Sequence, residues 1–240
     1  MSTLNHVTED WQRALAIVAH PDDMEWGAAA AVARWTGQGK VMTYCMVTSG
    51  EAGIDAVAPA EAGPLREREQ VDAAQEVGVD EVLFLRRPDG VLEYGLDLRR
   101  RICDVVRRYR PEIVITNSFR ETWAGGGLNQ ADHIATGRAT LDAVRDAGNR
   151  WVFPEQLGTD RQPWDGVRQV WLPGSPEARH AVDVTDTFEA GVASLAAHRA
   201  YIDGLAQEFD PRAMLDEMGR AAGAQLGVTH AAAIEVLDLS

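Results

Sequence analysis

Two short clusters in this chain carry the side-chain types that hydrolytic metal chemistry requires. His20-Pro21-Asp22-Asp23 puts an imidazole and two carboxylates in one tight turn, directly after an apolar run at residues 15–19 (LAIVA). Asp132-His133 supplies a second imidazole, a few residues after the glycines at 125–127. Imidazole and carboxylate are good zinc ligands, and a second imidazole completes three protein ligands with one position left for water. The chemistry also needs an acidic group, free of metal, to accept a proton from that water. One of Asp22 and Asp23 can bind metal while its neighbour, aimed elsewhere, serves as base. The same turn also reads as a helix start with Asp22 or Asp23 as the N-cap. These four residues by themselves do not separate the two readings. Two histidines and an aspartate suit Zn2+, and Fe2+ or cobalt fits the same ligands.

Such clusters need a frame that brings them together. Residues 15–19 read as a strand buried on both faces, followed by an Ala-rich helical segment at 25–37. Val41–Thr48 reads as a second strand ending in Ser49-Gly50, and 64–77 as a charged helix stopped by Gly78. A third strand at 82–85, an amphipathic helix at Leu96–Tyr109 and a fourth strand at Ile113–Thr116 continue the alternation. Strands alternating with helices predict an α/β fold: a Rossmann-like, mostly parallel sheet flanked by helices. Ligands bind beyond the carboxyl ends of such strands, where His20, Ser49, Asp89 and Asn117 fall. After residue 150 the pattern weakens, with short strands expected at 151–153 and 170–172 and a helix at 187–205. With no repeat or linker, a single domain over 1–240 is expected: an α/β core at 1–150 and a smaller C-terminal lobe, 151–240, packed on it.

Composition excludes several classes. A net charge of −14, from 37 acidic against 23 basic residues, repels phosphate backbones and argues against a nucleic-acid partner. The apolar stretches are too short to span a bilayer, so no membrane partner is expected. The polar, acidic first ten residues lack the basic and apolar regions of a signal peptide, making the cytoplasm the expected location. Cys45 and Cys103, far apart in apolar segments, read as reduced core thiols. The glycines at 125–127 are followed by no lysine and form no Gly-x-Gly-x-x-Gly, so they read as a loop beside the site rather than a phosphate cradle. That absence counts against a nucleotide-binding α/β protein. Oligomeric state is not readable from these features.

The residues around both clusters resemble the LmbE-like (PIG-L) family of N-deacetylases. The resemblance rests on Ala19-His20-Pro21-Asp22-Asp23 after a buried strand and on Asp132-His133 some hundred residues later. It extends to Thr48-Ser49-Gly50-Glu51, to 66–78 (REREQVDAAQEVG), to Pro88-Asp89-Gly90, to 110–114 (RPEIV) and to 182–198. It implies a zinc-dependent hydrolase that removes an acetyl group from an N-acetylglucosaminyl-type small molecule. In that scheme His20, Asp23 and His133 bind zinc, and Asp22 is the general base activating the zinc-bound water. Two departures stand out. Where many members have His-Pro-Asp-His, this chain has Gln130-Ala131-Asp132-His133; Gln130 can donate a hydrogen bond to an oxyanion but cannot act as an imidazolium. The family's His-x-Ser-Gln ending appears as His198-Arg199-Ala200-Tyr201. The first departure motivates an alternative, a non-catalytic metal- or sugar-binding protein on the same fold.

Further candidates follow from the same comparison. Asp89 and Arg68 match positions that resemble the family's substrate-binding residues; the plainer readings are a turn aspartate and a solvated helix arginine. Asp132 can orient an imidazole by a hydrogen bond or cap the following helix. His198 sits on an apolar helical face, as a core histidine or as a residue behind the pocket. Trp26, Trp123 and Trp164 are candidates for a sugar-stacking wall, while His6, His180 and His230 read as structural or exposed.

Overall fold

The structure, a computed structural model, describes residues 3–205 and 210–239, so the two outermost residues of the polar N-terminal stretch lie outside it. Its centre is a parallel run of five strands in the spatial order β6-β5-β2-β3-β4. These are β2 (Arg13–Val18), β3 (Val41–Thr48), β4 (Glu81–Arg87), β5 (Ile113–Thr116) and β6 (Gln169–Pro173). Register is set by Ala16 opposite both Tyr44 and Ile115. Alternation along β2 explains its continuous apolar sequence. Ala14, Ala16 and Val18 enter one core, while Leu15 and Ile17 enter the other. The first core is anchored by Trp11, Trp35 and Trp171, packed edge-on or tilted at 5.3–5.9 Å between centroids. It is covered by α1 (Ala29–Gly37). The second lies under α3 (Leu96–Tyr109) and α4 (Ala131–Gly148), with Ile102, Val106, Ala139 and Val144 facing inward.

Both cysteines are free and buried in these layers. α2 (Pro59–Glu76) starts five residues earlier than expected and carries Pro64 within its first turns. α1 starts later than expected, at Ala29, because residues 21–28 form a run of turns.

The C-terminal part departs most from expectation. Residues 151–153 form no strand: Phe153 has φ 50° and leads into a short 3-10 turn. The expected helix at 187–205 is two helices, α5 (Phe188–Ala196) and α6 (Arg199–Asp203), broken at Ala197 and His198. Four elements were not anticipated: α7 (Pro211–Leu226), β8 (Ala231–Asp238), β7 (His180–Asp183) and β1 (Asn5–His6). β8 runs antiparallel between β6 and β7 (His180–Asp183), and β1 (Asn5–His6) closes that edge, giving eight strands among the described residues. The C-terminal segment thus extends the same sheet. No helix among the described residues is long and apolar enough to cross a membrane.

Candidate active site

The carboxyl ends of β2, β4 and β5 and the start of α4 meet at a cavity of about 610 Å3. His20, Asp23 and His133 each offer one ligand atom within 4.8 Å of the others, and their side chains are nearly inaccessible. His20 Nδ1 lies 3.1 Å from His133 Nε2, which lies 3.0 Å from Asp23 Oδ1.

The partners behind each ligand decide which atoms are available. His20 Nε2 faces two carboxylates, Asp89 at 3.0 Å and Asp132 at 3.3 Å, and so is the N–H donor of that ring. Its Nδ1 lone pair is then free to point at the cluster. His133 Nδ1 faces the Asn129 carbonyl oxygen at 3.2 Å, which likewise leaves Nε2 as the free nitrogen. Asp23 Oδ2 accepts from the His20 backbone N–H at 2.8 Å and from Asn117 Nδ2 at 3.0 Å, so Oδ1 faces the two imidazoles. Ligating histidines usually have the far nitrogen fixed in this way, and two imidazoles with one carboxylate suit zinc. The chemistry of this donor set therefore fits a divalent metal. A second group, His20 with Asp89 and Asp132, is a weaker metal site: both carboxylates already take backbone N–H groups, from Ala52 and from Gly90 and Leu92. Burial disfavours the charged imidazolium of His20, but Asp132 and Asp23 outweigh it and hold the group well above the usual histidine range. Burial alone would push Asp23 up; His133 and His20 hold it well below the usual carboxylate range.

Asp22 goes the other way. Its φ of 90° is unusual for a residue with a side chain, and it makes adjacent carboxylates diverge. The buried Gln70 on α2 accepts the Asp22 N–H at 2.8 Å and donates to Glu25 at 3.1 Å, which holds the turn. Neither aspartate caps α1, whose N-cap is Ala28 without a side-chain bond. The capping reading of this turn is therefore corrected: Asp23 caps backwards onto His20, and Asp22 caps nothing. Burial pushes Asp22 up to about 6, with Arg66 opposing and Asp23 reinforcing. Arg66 Nη2 is 3.1 Å from Asp22 Oδ2, but it donates to the Pro21 carbonyl at 2.5 Å, and Asp22 Oδ2 accepts no hydrogen bond. Arg66 is locked from the other side by Tyr201, 4.1 Å over its ring, and by Gly50. A Cβ at Gly50, where φ is +62°, would sit 2.4 Å from Arg66 Nη1, so glycine is required there.

Asn117 ties the frame together. Its Oδ1 accepts the Ala19 N–H at 2.8 Å while its Nδ2 holds Asp23. α4 approaches it through Gly137, where a Cβ would meet the Asn117 carbonyl at 2.3 Å. Close backbone contact at Gly137 is what carries His133 to the strand ends.

The remaining expected residues divide. Gln130, at the N-cap of α4, lines the cavity with an exposed side chain. Asp132 orients His20 rather than its chain neighbour His133. Asp89 lines the cavity, but its oxygens are engaged by His20 and Ala52. Arg68 is exposed and does not line the cavity; the arginine of α2 that does is Arg66, two residues earlier. His198 is fully buried, 3.6 Å from Glu25. Trp26 and Trp123 line the cavity, Trp123 edge-on to His133 at 5.3 Å. Trp164 does not: it packs on the second core and donates to the Pro111 carbonyl. His230 is buried against Phe188 and Asp216. Sequence reasoning missed Gln70, Glu25 and Arg66. Their only signal was polar residues on the inner face of α2 and in the turn after Asp23.

A mostly parallel α/β sheet whose carboxyl edge gathers two imidazoles and a carboxylate defines the structural class. Residues 15–144, more than half of the chain, match the family model PIG-L, GlcNAc-PI de-N-acetylase, and the chain belongs to that family. It is 28% identical over 184 residues to a 1D-myo-inositol 2-acetamido-2-deoxy-alpha-D-glucopyranoside deacetylase of Saccharopolyspora erythraea, covering 66% of this chain and 64% of that one. Its fold is similar to that of N,N′-diacetylchitobiose deacetylase from Pyrococcus horikoshii, with TM-score 0.85, 20% identity, and coverage of 96% and 85% of the two chains. It is also similar to a 4-carboxy-2-hydroxymuconate hydratase from Pseudomonas putida KT2440, with TM-score 0.72, 20% identity, and coverage of 95% and 97%. The two neighbours are named a deacetylase and a hydratase, so the shared fold does not by itself fix an activity.

Proposed function

We propose that this chain is a metal-dependent N-deacetylase of N-acetylglucosaminyl-type small molecules, acting as one catalytic unit over its whole length. The observation that carries the reading is the divergence at 22–23: Asp23 joins His20 and His133, while Asp22 stands beside them with an oxygen that accepts no hydrogen bond. A zinc ion held by His20, Asp23 and His133 would supply Lewis acidity, polarising the amide carbonyl and acidifying a water.

The protein's own groups do the rest. Asp22 takes the proton of the attacking water, and Arg66 and the Trp26 indole N–H keep its carboxylate in place. A carboxyl near 6 is well suited to accept that proton near neutral pH and return it to the leaving amine. Gln130, at the cavity edge, donates through its amide to the developing oxyanion; losing such a donor typically lowers turnover by about 10²–10³. Asp89 and Asp132 hold His20 in one tautomer. A non-catalytic binder has no use for an ionisable group buried beside the metal ligands, which favours catalysis over a pure binding role. The deacetylase of Saccharopolyspora erythraea, to which the chain is 28% identical, supports an amide substrate over a hydration.

The test is amine release from a panel of N-acetylglucosaminyl compounds by zinc-loaded protein, with His20→Ala as control. Release from one compound, absent in the control, is expected. Full zinc occupancy with no amine from any amide in the panel would overturn the reading.

A further inference from the structure

The cavity is lined by Met, Trp, Pro and Gly as well as by the ligand cluster, and its polar groups are nearly all engaged within the protein. Asn117 uses both ends of its amide, Thr116 bonds Thr140, and Ser118 accepts from the Arg120 N–H. Arg66, the single Lys or Arg lining the cavity among the described residues, spends its terminal nitrogens on Pro21, Gly50 and Asp22, and its Nε is buried away from the cavity surface. What remains for a ligand is neutral: the Gln130 amide, the Tyr201 hydroxyl and the Trp123 indole. Among the described residues no free Lys or Arg awaits a phosphate or carboxylate substituent, and the −14 net charge opposes one at long range.

The remaining walls are apolar. One runs from Trp26 and Gly27 past Pro173 and Gly174 to Trp123: a Cβ on Gly27 would touch Pro173 at 3.9 Å, and one on Gly174 would touch Trp123 at 3.4 Å. Across the cavity, Met214 and Met218 stand one turn apart on α7, and Met218 is 47% exposed. Paired methionines at a cavity rim are soft and adaptable.

We infer that the substrate presents an uncharged, apolar group, an aryl or alkyl aglycone, to the wall formed by Trp26, Trp123, Met214 and Met218. The inference rests on the deacetylase reading for the placement of the sugar beside His20, Asp23 and His133. The apolar group leaves water while the neutral donors take the sugar hydroxyls. Anionic conjugates are rejected for want of a counter-charge.

Calorimetric binding of three amines tests it without turnover: glucosamine, its hexyl glycoside, and glucosamine 6-phosphate. The hexyl glycoside is expected to bind at least tenfold tighter than glucosamine, and the 6-phosphate more weakly than glucosamine. Met214→Gln and Met218→Gln should each remove most of the hexyl gain; Met218 is exposed enough for its variant to fold. Equal affinity for glucosamine and the hexyl glycoside, or preference for the phosphate, would overturn the inference. A dimer that dissociates in Met218→Gln would assign the rim to a second copy of the chain and overturn it too. Amine release from the matching N-acetyl compounds separates the two readings. Apolar-first binding without release sinks the deacetylase and leaves the pocket; release at equal kcat/KM from free and hexyl sugars does the reverse.

Discussion

Asp22 should cost the fold stability in the form that serves catalysis, and Asp22→Asn should expose that cost. Burial pushes its carboxyl up from 3.8 to about 6. At about 1.36 kcal/mol per pH unit, the ionised base disfavours the metal-free fold by ~3 kcal/mol. The sign follows from linkage. The folded state holds the proton at higher pH than the unfolded chain does, so this stabilising contribution is present below about 4 and is lost as pH rises through about 6. Asparagine keeps the shape of the protonated acid without the charge. In protein stripped of metal, Asp22→Asn should therefore match wild type at pH 4 and exceed it at pH 7. For a chain of this length the gain is ~6–12 °C in Tm. Thermal unfolding of both proteins across pH 4–8 measures it, with Asp23 and His198 the neighbouring groups whose charge Asp22 feels. The same variant, loaded with zinc, should retain its metal and lose nearly all turnover. A Tm difference that does not grow between pH 4 and 7 would refute the burial argument, and a fall in bound zinc would refute Asp22 as base.

Other substitutions probe the supports. Gln70→Leu removes the acceptor that holds Asp22 at φ 90°; kcat should fall tenfold or more with KM little changed, and no further loss should appear in an Asp22→Asn background. An added loss there would make Gln70 merely structural. Asp132→Asn loosens His20 and should weaken zinc affinity by about 10–100-fold, read by chelator competition; unchanged affinity would leave Asp89 as the sole support of that ring. Burial pushes both thiols up to about 12, so neither Cys45 nor Cys103 should react with a thiol reagent at pH 8 until denaturant is added. Rapid labelling of the native protein would contradict their burial.

The legible parts of this chain are those where local composition and tertiary role agree. Residues 15–19 are apolar throughout, and 41–48 nearly so apart from Thr43 and Thr48, because both faces of a central parallel strand are buried, and α3 shows its inner stripe of Leu98, Ile102, Val105 and Val106 directly. α7 and β8 were less visible, although Asp210 caps the helix onto Ala213 and Gly227 closes it at φ +86°. Those stop signals were readable, but only Ala222 and Gly223 of α7 are buried, so no apolar stripe drew attention to them. The break at His198 was hidden for the opposite reason: helix propensity runs unbroken from 188 to 203, and Glu69, which accepts the Ala200 N–H at 2.5 Å, receives the second helix from outside.

In the site, the residue types were legible but the division of labour was not. His-Pro-Asp-Asp announces two adjacent carboxylates, and neighbours on a regular backbone cannot both be aimed from sequence alone. What separates them is a backbone angle set by Gln70, forty-eight positions away, and by an arginine wedged between two glycine-permissive turns. A positive φ at a non-glycine residue costs of order 1–3 kcal/mol. It persists here because Gln70, Glu25 and Arg66 surround the turn from three sides. None of those three residues touches the cluster of ligands, so a sequence search for metal or base chemistry passes over them. The choice of Arg68 over Arg66 is the same failure on a smaller scale. Two residues along a helix turn a side chain by about 200°, and only the packing of α2 against the strand ends tells which arginine faces in.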